Sequence, residues 1–296
     1  MDSFTKVGIV TVTYNSETVI EGFMKSLLAQ TYQRFVLYVV DNLSQDNTIN
    51  KLTQYTNLLD MVIFRNSNNA GVAAGNNQGI ERALSDGCSH VLLINNDTEF
   101  NDNLIQKLLE FMKDSNCDIT VPKMMYHDNP ALFWFAGGYL STMRAYSGVH
   151  EGSNTIDHGQ FDTPRRITYA PTCCMLVKAE VFSSIGLMDE KYFIYYDDTD
   201  FCLRATRKNI QMFYVPTTVL THKVSSLTGG KHSKFALRYL IRNKVYYIRK
   251  NVISPISCIF LMLFQLKLFI DYLYHKEGRE IYLLKQGSFT EGLRMK

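Results

Sequence analysis

The sequence predicts a mostly parallel α/β sheet covered by helices, followed by a basic, apolar helical extension. Three observations predict this. Strand-like and helix-like segments alternate through the first 120 residues, polar clusters close the strand-like runs, and the charge balance reverses along the chain. Val7–Thr13 (VGIVTVT) is β-branched and apolar throughout, as a strand buried on both faces must be. Ser16 precedes an amphipathic stretch running to Leu28, and Phe35–Val40 reads as a second strand that ends at Asp41. Asp46 or Thr48 caps a helix to about Tyr55. Met61–Phe64 is a strand, Val72–Leu84 a helix, and His90–Ile94 a strand closing in Asn95-Asn96-Asp97. Leu104–Met112 (helix) and Ile119–Val121 (strand) complete the set. Ligands of such sheets bind beyond the carboxyl ends of the strands, where Tyr14-Asn15, Asp41-Asn42, Asn68-Asn69 and Asn95-Asn96-Asp97 fall.

Residues 122–222 are less periodic and richer in aromatics. Thr163–Arg166 reads as a loop, Ala179–Ile185 and Thr199–Lys208 as helices, and Pro216–Thr221 as a strand ending at His222. His222 opens the loop KVSSLTGGKH. A basic helix starts near Ser233 and runs into the apolar stretch Ile253–Tyr274. The uncharged part, Asn251 to Leu266, spans 16 residues and contains Pro255, short of the roughly 20 a crossing helix needs. An interfacial anchor fits it better, with a helical subdomain packed on the body or on another subunit as the alternative.

The 296 residues, 46% hydrophobic and 20% charged, exclude a disordered tail, a collagen-like polymer and a disulfide-stapled miniprotein. Residues 1–200 carry 14 Lys and Arg against 24 Asp and Glu, whereas residues 201–296 carry 17 against 4. An acidic body with a basic end points to a polyanionic partner, a membrane leaflet or a nucleic acid. Cys88, Cys117, Cys173, Cys174, Cys202 and Cys258 include no C-x-x-C pair, so buried thiols in a reducing compartment are expected. The N-terminus lacks the pattern of a signal peptide, which places the protein on the cytosolic side.

Neither G-x-G-x-x-G nor G-x-x-x-x-G-K-[ST] follows the first strand, which argues against nicotinamide and P-loop enzymes. Thr13-Tyr14-Asn15 instead forms a polar lip with an aromatic face suited to a base. Asp41 offers a carboxylate to a pyrimidine N3–H, or merely starts a turn. Asp97 can bind a divalent cation that bridges a diphosphate, and His222 can supply a second ligand if it returns to the same cleft. Asp197, Asp198 and Asp200 crowd three carboxylates into four positions, which suits a base, a cation site or the first turn of a helix. The spacing of Asp200 and Arg204 favours that helix, with Asp198 pointing into the cleft. Trp134, between Phe133 and Phe135, reads either as core or as a platform for an acceptor sugar.

In order and spacing, six stretches carry a resemblance over about residues 7–250. They are VTYNS (12–16), VDNLSQDNT (40–48), NNAGVAAGNNQGI (68–80), LLINNDT (92–98), GLMDEKYFIYYDDTDFCLR (186–204) and His222. Together they resemble the family-2 glycosyltransferases, inverting enzymes with the Rossmann-like GT-A fold that use nucleotide-sugars. The likeness is strongest to bacterial rhamnosyltransferases of polysaccharide and O-antigen assembly and to galactofuranosyltransferases. It implies a nucleotide-sugar-binding half (1–121), an acceptor and catalytic half of the same domain (122–230), and a membrane-associating or oligomerising extension (231–296). It places Thr13, Tyr14, Asn15 and Asp41 around the donor base, and Asn69, Gly71, Asn77, Asn95 and Asn96 along the ribose and diphosphate. It further implies Mg2+ or Mn2+ on Asp97 and His222, and Asp198 as the base supported by Asp197, Asp200 and Arg204. Two positions depart from the family pattern. Asn95 stands where the metal motif Asp-x-Asp has its first Asp, and Asp197 where Glu is frequent.

The implied function is transfer of L-rhamnose from dTDP-L-rhamnose, or of galactofuranose or a hexose from a UDP-sugar. The acceptor is a hydroxyl of a glycan or lipid-linked glycan at the inner face of the cell membrane, with anionic lipid as partner and no nucleic acid. A two-carboxylate glycoside hydrolase leaves Thr13–Asn15, Asp41 and Asp97 unexplained. The non-enzymatic rival is a polyanion-binding module using Tyr239, Tyr246 and Tyr247 among Arg238, Arg242, Lys244 and Arg249.

Overall fold

The computed structural model describes residues 5–224, 233–274 and 278–296; positions 225–232 of the predicted loop after His222 lie outside the described residues. The first half follows the predicted alternation: β1 (Val7–Thr13), α1 (Ile20–Leu28), β2 (Phe35–Asp41), α2 (Thr48–Thr53), β3 (Met61–Arg65), α3 (Gly71–Ser85) and β4 (His90–Ile94). β1 pairs in parallel with β2 and β4, and β2 with β3. Every residue of β2 is buried, and all but one of β1, because helices cover both faces. α3 lies close on β1: a Cβ on Gly79 would sit 2.3 Å from Val10 Cγ1, so glycine sets the interhelix-to-sheet distance there.

Next come β5 (Thr98–Phe100), α4 (Leu104–Asp114), β6 (Ile119–Tyr126), β7 (Phe133–Phe135), β8 (Gly138–Ser141), β9 (Ser147–His150), β10 (Arg165–Ile167), β11 (Cys174–Lys178), α5 (Ala179–Ile185), α6 (Asp197–Arg207) and β12 (Met212–His222). The large sheet runs β10-β12-β6-β11-β4-β1-β2-β3. It is more mixed than the alternation predicts. β11, unmarked in the sequence reading, inserts antiparallel between β4 and β6, so β6 does not neighbour β4. The expected loop 163–166 is partly strand, because Arg165–Ile167 pairs with the first residues of β12. β12 starts at Met212 rather than at Pro216. Its register on β6 shifts between Val215 and Val219, where Pro216 has no N–H to give the ladder.

The extension folds as α7 (Lys234–Asn251), α8 (Ile256–Tyr274) and α9 (Arg279–Arg294). α7 packs against both α9 and the catalytic body. Tyr246 and Tyr247 are buried with Tyr192 and Leu203, and Gly292 of α9 abuts the Arg242 carbonyl. α8 begins after Pro255 and buries little more than Ser257 and Leu268. By length and composition it is sufficient to cross a membrane. Five of the six cysteines are buried and Cys258 is exposed; all six are free thiols.

Two helical glycines give opposite expectations. Gly79→Ala lowers unfolding free energy by about 1–3 kcal/mol through overpacking on Val10. Gly287→Ala, in α9 with open space at its Cβ, raises it by about 0.5–1 kcal/mol. Urea titration of the two variants checks both signs.

Candidate active site

β4 ends at Ile94 and releases Asn95, Asn96 and Asp97 at the carboxyl edge of the sheet. The chain then turns back as β5, which pairs antiparallel with the end of β12 so that Thr98 faces His222. The Lys223 N–H donates to the Asp97 carbonyl at 2.9 Å, locking this register. The result brings Asp97 Oδ1 to 3.2 Å from His222 Nε2, with both residues buried. His222 Nδ1 has no hydrogen-bond partner among the described residues, and the Trp134 ring stands edge-on to the imidazole at 4.5 Å between centroids.

Across the cavity, α6 starts at Asp197 after a segment in which Phe193, Tyr195 and Tyr196 all have positive φ (63°, 65° and 69°). Such backbone is strained for side chains of this size, and it persists because the surroundings hold it. The Asn243 amide of α7 donates to the carbonyls of Tyr192, Ile194 and Tyr195, and Arg242 donates to those of Lys191 and Tyr192. From α3, the Val72 N–H donates to the Phe193 carbonyl at 2.6 Å.

The three carboxylates that follow have different environments. Asp198 accepts from the Thr199 N–H (2.6 Å), the Thr199 hydroxyl (3.1 Å) and the Tyr169 hydroxyl (3.1 Å). Burial raises its pKa, opposed by those donors. Asp197 is buried and its Oδ2 lacks a partner among the described residues. Burial, then the charge of Asp198, pushes it above the usual carboxylate range. The two carboxylates titrate as a pair, and the donors around Asp198 favour its charged form over that of Asp197. Asp200 is fully buried and bound by Arg204 Nε (2.9 Å), Lys250 Nζ (2.8 Å), the Asn251 amide (3.0 Å) and the Tyr192 hydroxyl (3.3 Å). Arg204 also donates to the Ile185, Gly186 and Leu187 carbonyls. Asp200 and Arg204 thus support the site through the scaffold, and the helix-start and cleft readings of the acidic cluster both hold.

A cavity of about 600 Å3 contains Asp97, His222, Trp134, Tyr169, Asp197 and Asp198 on its walls. A second, about 510 Å3, is walled by Tyr14, Asn42, Asn69, Gly71, Asn95 and Asn96. They meet at Val72, Asn95, Asp97 and Ile194. Gly71 has φ of 87°, and a Cβ there would strike Phe193 at 2.5 Å, so glycine opens this wall. Asn69 Oδ1 accepts from the Gly71 N–H at 3.0 Å.

Four residues expected to contact a donor are committed elsewhere. Asp41 accepts from the Thr13 hydroxyl (2.9 Å) and from the N–H (3.0 Å) and hydroxyl (2.5 Å) of Ser44, all but enclosed. Asn15 binds the Gln45 N–H through its side chain at 2.8 Å. Asn77 clamps α3 to Met188 and Glu190, with both its amide nitrogen and its oxygen engaged. These four, Thr13 included, shape the loops beneath Tyr14 and Asn69 and are absent from both cavity walls. Trp134 divides from its neighbours as strand alternation requires: Phe133 and Phe135 point into the core and Trp134 faces the cavity. Sequence reasoning missed Tyr169 and His150. His150 Nε2 lies 3.4 Å from the Tyr169 hydroxyl, and its Nδ1–H faces the Trp134 carbonyl at 3.2 Å. The stacking platform of the nucleic-acid reading is dismantled: Tyr246, Tyr247 and Arg242 are buried.

Two neighbouring ligands of an octahedral ion at about 2.1 Å lie about 3 Å apart, which matches the Asp97–His222 separation. The carboxylate oxygen suits Mg2+ or Mn2+, and an imidazole ligand favours Mn2+ of the two. No cluster of three or more His, Cys, Asp or Glu occurs among the described residues, so ligand oxygens must complete such a shell.

The family described as Glycosyl transferase family 2 matches residues 8–186, more than half of the chain. The dTDP-rhamnosyl transferase RfbF of Shigella flexneri is 26% identical over 249 residues, covering 82% of this chain and 79% of that protein. In structure, S. aureus TarS 1-349 in complex with UDP aligns with a TM-score of 0.60 at 17% identity, covering 98% of this chain and 81% of that one. GalNAc-T7 with UDP, GalNAc and Mn2+ gives 0.63 at 15% identity, covering 99% and 56%. These structural likenesses establish the GT-A fold.

The Asp197 environment makes a signed prediction. A carboxyl whose folded pKa exceeds its unfolded value (about 3.9) leaves stability unaffected below that value and subtracts from it as pH rises. Asp197→Asn, neutral at every pH, therefore raises Tm relative to the parent at pH 8 and leaves it unchanged near pH 3.5. Calorimetry at the two pH values checks this.

Proposed function

Because the chain belongs to glycosyl transferase family 2 and is a nucleotide-sugar glycosyltransferase, we propose that it moves L-rhamnose from dTDP-L-rhamnose to a hydroxyl of a lipid-linked glycan, with inversion. The observation that carries the reaction type is one cavity holding Asp198 on one wall and the Asp97–His222 pair on another. Rhamnose rests on the likeness to RfbF.

The nucleotide lies in the second cavity, its base on the exposed ring of Tyr14 and its ribose along Asn42 and Asn69. The diphosphate approaches the N-terminus of α3 at Gly71, where the helix dipole favours anions. Asp97 and His222 would hold Mg2+ or Mn2+, which would supply Lewis-acid neutralisation of charge on the diphosphate. Asp198 accepts the proton of the attacking hydroxyl, on the face of the sugar opposite the leaving group. General-base help of this kind is worth about 10²–10⁴-fold. The Tyr169 hydroxyl and Thr199 hold Asp198 in the rotamer that faces the acceptor. Trp134 presents an apolar face to the acceptor sugar.

Asp198→Asn keeps nucleotide binding and loses transfer by at least 10²-fold, the loss lying in kcat. Full turnover in this variant moves the base to Asp197. EDTA abolishes transfer, and Asp97→Ala and His222→Ala each weaken it. A thermal-shift panel of dTDP- and UDP-sugars with Mn2+ identifies the donor, since a ligand bound to the native state raises Tm. The largest shift with a UDP-sugar sinks the rhamnose reading.

We place the enzyme at the inner face of the membrane. Ile259, Met262, Leu266, Phe269 and Leu273 form one exposed stripe along α8 at helical spacing, suited to the headgroup boundary. Flotation with anionic vesicles is expected to fall when Ile259, Met262 and Leu266 are changed to serine in the full chain. Equal flotation of both proteins sinks the placement. Deletion after Asn251 is a poorer test, because it also removes α9, on which α7 packs.

A further inference from the structure

A third cavity, about 470 Å3, lies between the β8–β9 hairpin and the helices α7 and α8. Tyr196 lines it, and the next two residues line the catalytic cavity. Cations converge on it from three elements: Arg144 after β8, Lys244 from α7 and Lys267 from α8. Lys267 pairs with Asp271 at 2.5 Å. Arg144 and Lys244 have no ion-pair partner among the described residues. The Lys244 ammonium lies 4.3 Å over the Phe264 ring, partly withdrawn from water. Burial lowers its pKa, and the nearby charges of Lys267 and Arg144 add to this, so an arriving anion offsets each unfavourable contribution.

Apart from Ser147 and Tyr196 the rest of the lining is apolar and includes Phe260, Leu263 and Phe264 of α8 and exposed Met143. Leu263 is itself half exposed and adjoins the outward stripe of α8, so the cavity opens directly onto an apolar surface. A lone carboxylate is matched by one cation. Arg144 and Lys244, with the Lys267–Asp271 pair beside them, match a phosphate, which carries more charge and three strong acceptor oxygens. An apolar track leading out of such a pocket matches a hydrocarbon chain.

We infer that this cavity binds the phosphate or diphosphate of an amphiphilic phosphate ester, its hydrocarbon chain lying along α8. The assignment rests on the proposed lipid-linked acceptor and adds where its lipid end is held: one residue before the catalytic acids, on the outer side of Tyr196.

The test uses the full chain and dodecyl phosphate below its micellar concentration, followed by calorimetric titration. Dodecyl phosphate is expected to bind at least 10-fold tighter than inorganic phosphate and than the uncharged dodecyl maltoside. Arg144→Gln with Lys244→Gln weakens it at least 10-fold, whereas Lys107→Gln with Lys113→Gln, removing equal charge on α4, leaves it unchanged. Arg144→Gln alone, at an exposed position, gives part of the loss without touching the core. Phosphatidylglycerol vesicles that displace dodecyl phosphate identify bilayer lipid as the source, and vesicles that do not displace it identify the acceptor's own phosphate; both support the site. Unchanged affinity in the double variant, or equal binding of inorganic phosphate, overturns it. Nucleotide-sugar binding is read in parallel. Its absence with dodecyl phosphate binding intact defeats the transferase-acceptor reading and leaves the cavity assignment standing.

Discussion

The buried carboxylate of Asp200 is the interaction on which the catalytic geometry depends. A charge fully withdrawn from water is tolerable only when paired and hydrogen-bonded, and Asp200 has Lys250, Arg204, Asn251 and Tyr192 around it. Burial alone raises its pKa, but Lys250, Asn251 and Arg204 more than offset that and hold it below the usual carboxylate range. Its partners come from α6 itself, from the turn before α6 and from the end of α7. One carboxylate thereby joins the catalytic helix to the C-terminal extension. With α7 docked, Arg242 and Asn243 reach the carbonyls of residues 191–195 and sustain their unfavourable backbone conformation.

That docking resolves a conflict within the acidic cluster. Three carboxylates in four positions repel one another if all are ionised. Asp200 is held charged by two cations, Asp198 has three donors that favour its charged form, and burial beside Asp198 favours the neutral form of Asp197. The same chemical group behaves differently at the three positions because its surroundings differ.

Hydrogen-bond commitment separates structural polar residues from those free to meet a ligand. Asp41 and Asn77 sit at a strand end and a helix face where a ligand contact is expected, yet their side chains are consumed by neighbouring groups. Asn96 Oδ1, Asp197 Oδ2 and His222 Nδ1 are buried without a partner among the described residues, and all three residues line a cavity. Unpaired buried polar atoms are rare in folded proteins, and these three fall on the walls of the two adjoining cavities, while others among the described residues, such as Thr11 Oγ1 and Tyr214 Oη, lie elsewhere.

The sequence by itself determined the elements whose signal is local. β1, β2, β3 and β4 are apolar runs, α3 and α4 are periodic, and each polar cluster falls at the carboxyl end of its strand, as covalent alternation of side chains demands. It also offered Asp97, Asp198 and His222 as candidates, through the order and spacing of several motifs rather than through any one of them. Tertiary structure alone decided what depends on distant partners. β11 is five residues of ordinary apolar sequence, and nothing local states that it inserts antiparallel between β4 and β6. The meeting of Asp97 with His222 follows from the β5–β12 register across more than 120 positions of chain. Tyr169 reaches Asp198 from 29 residues away, and α7 reaches Asp200 from about 50. Periodicity reports which face of an element is buried; it contains no record of which element covers that face, and the covering element is what gives three crowded aspartates three different environments.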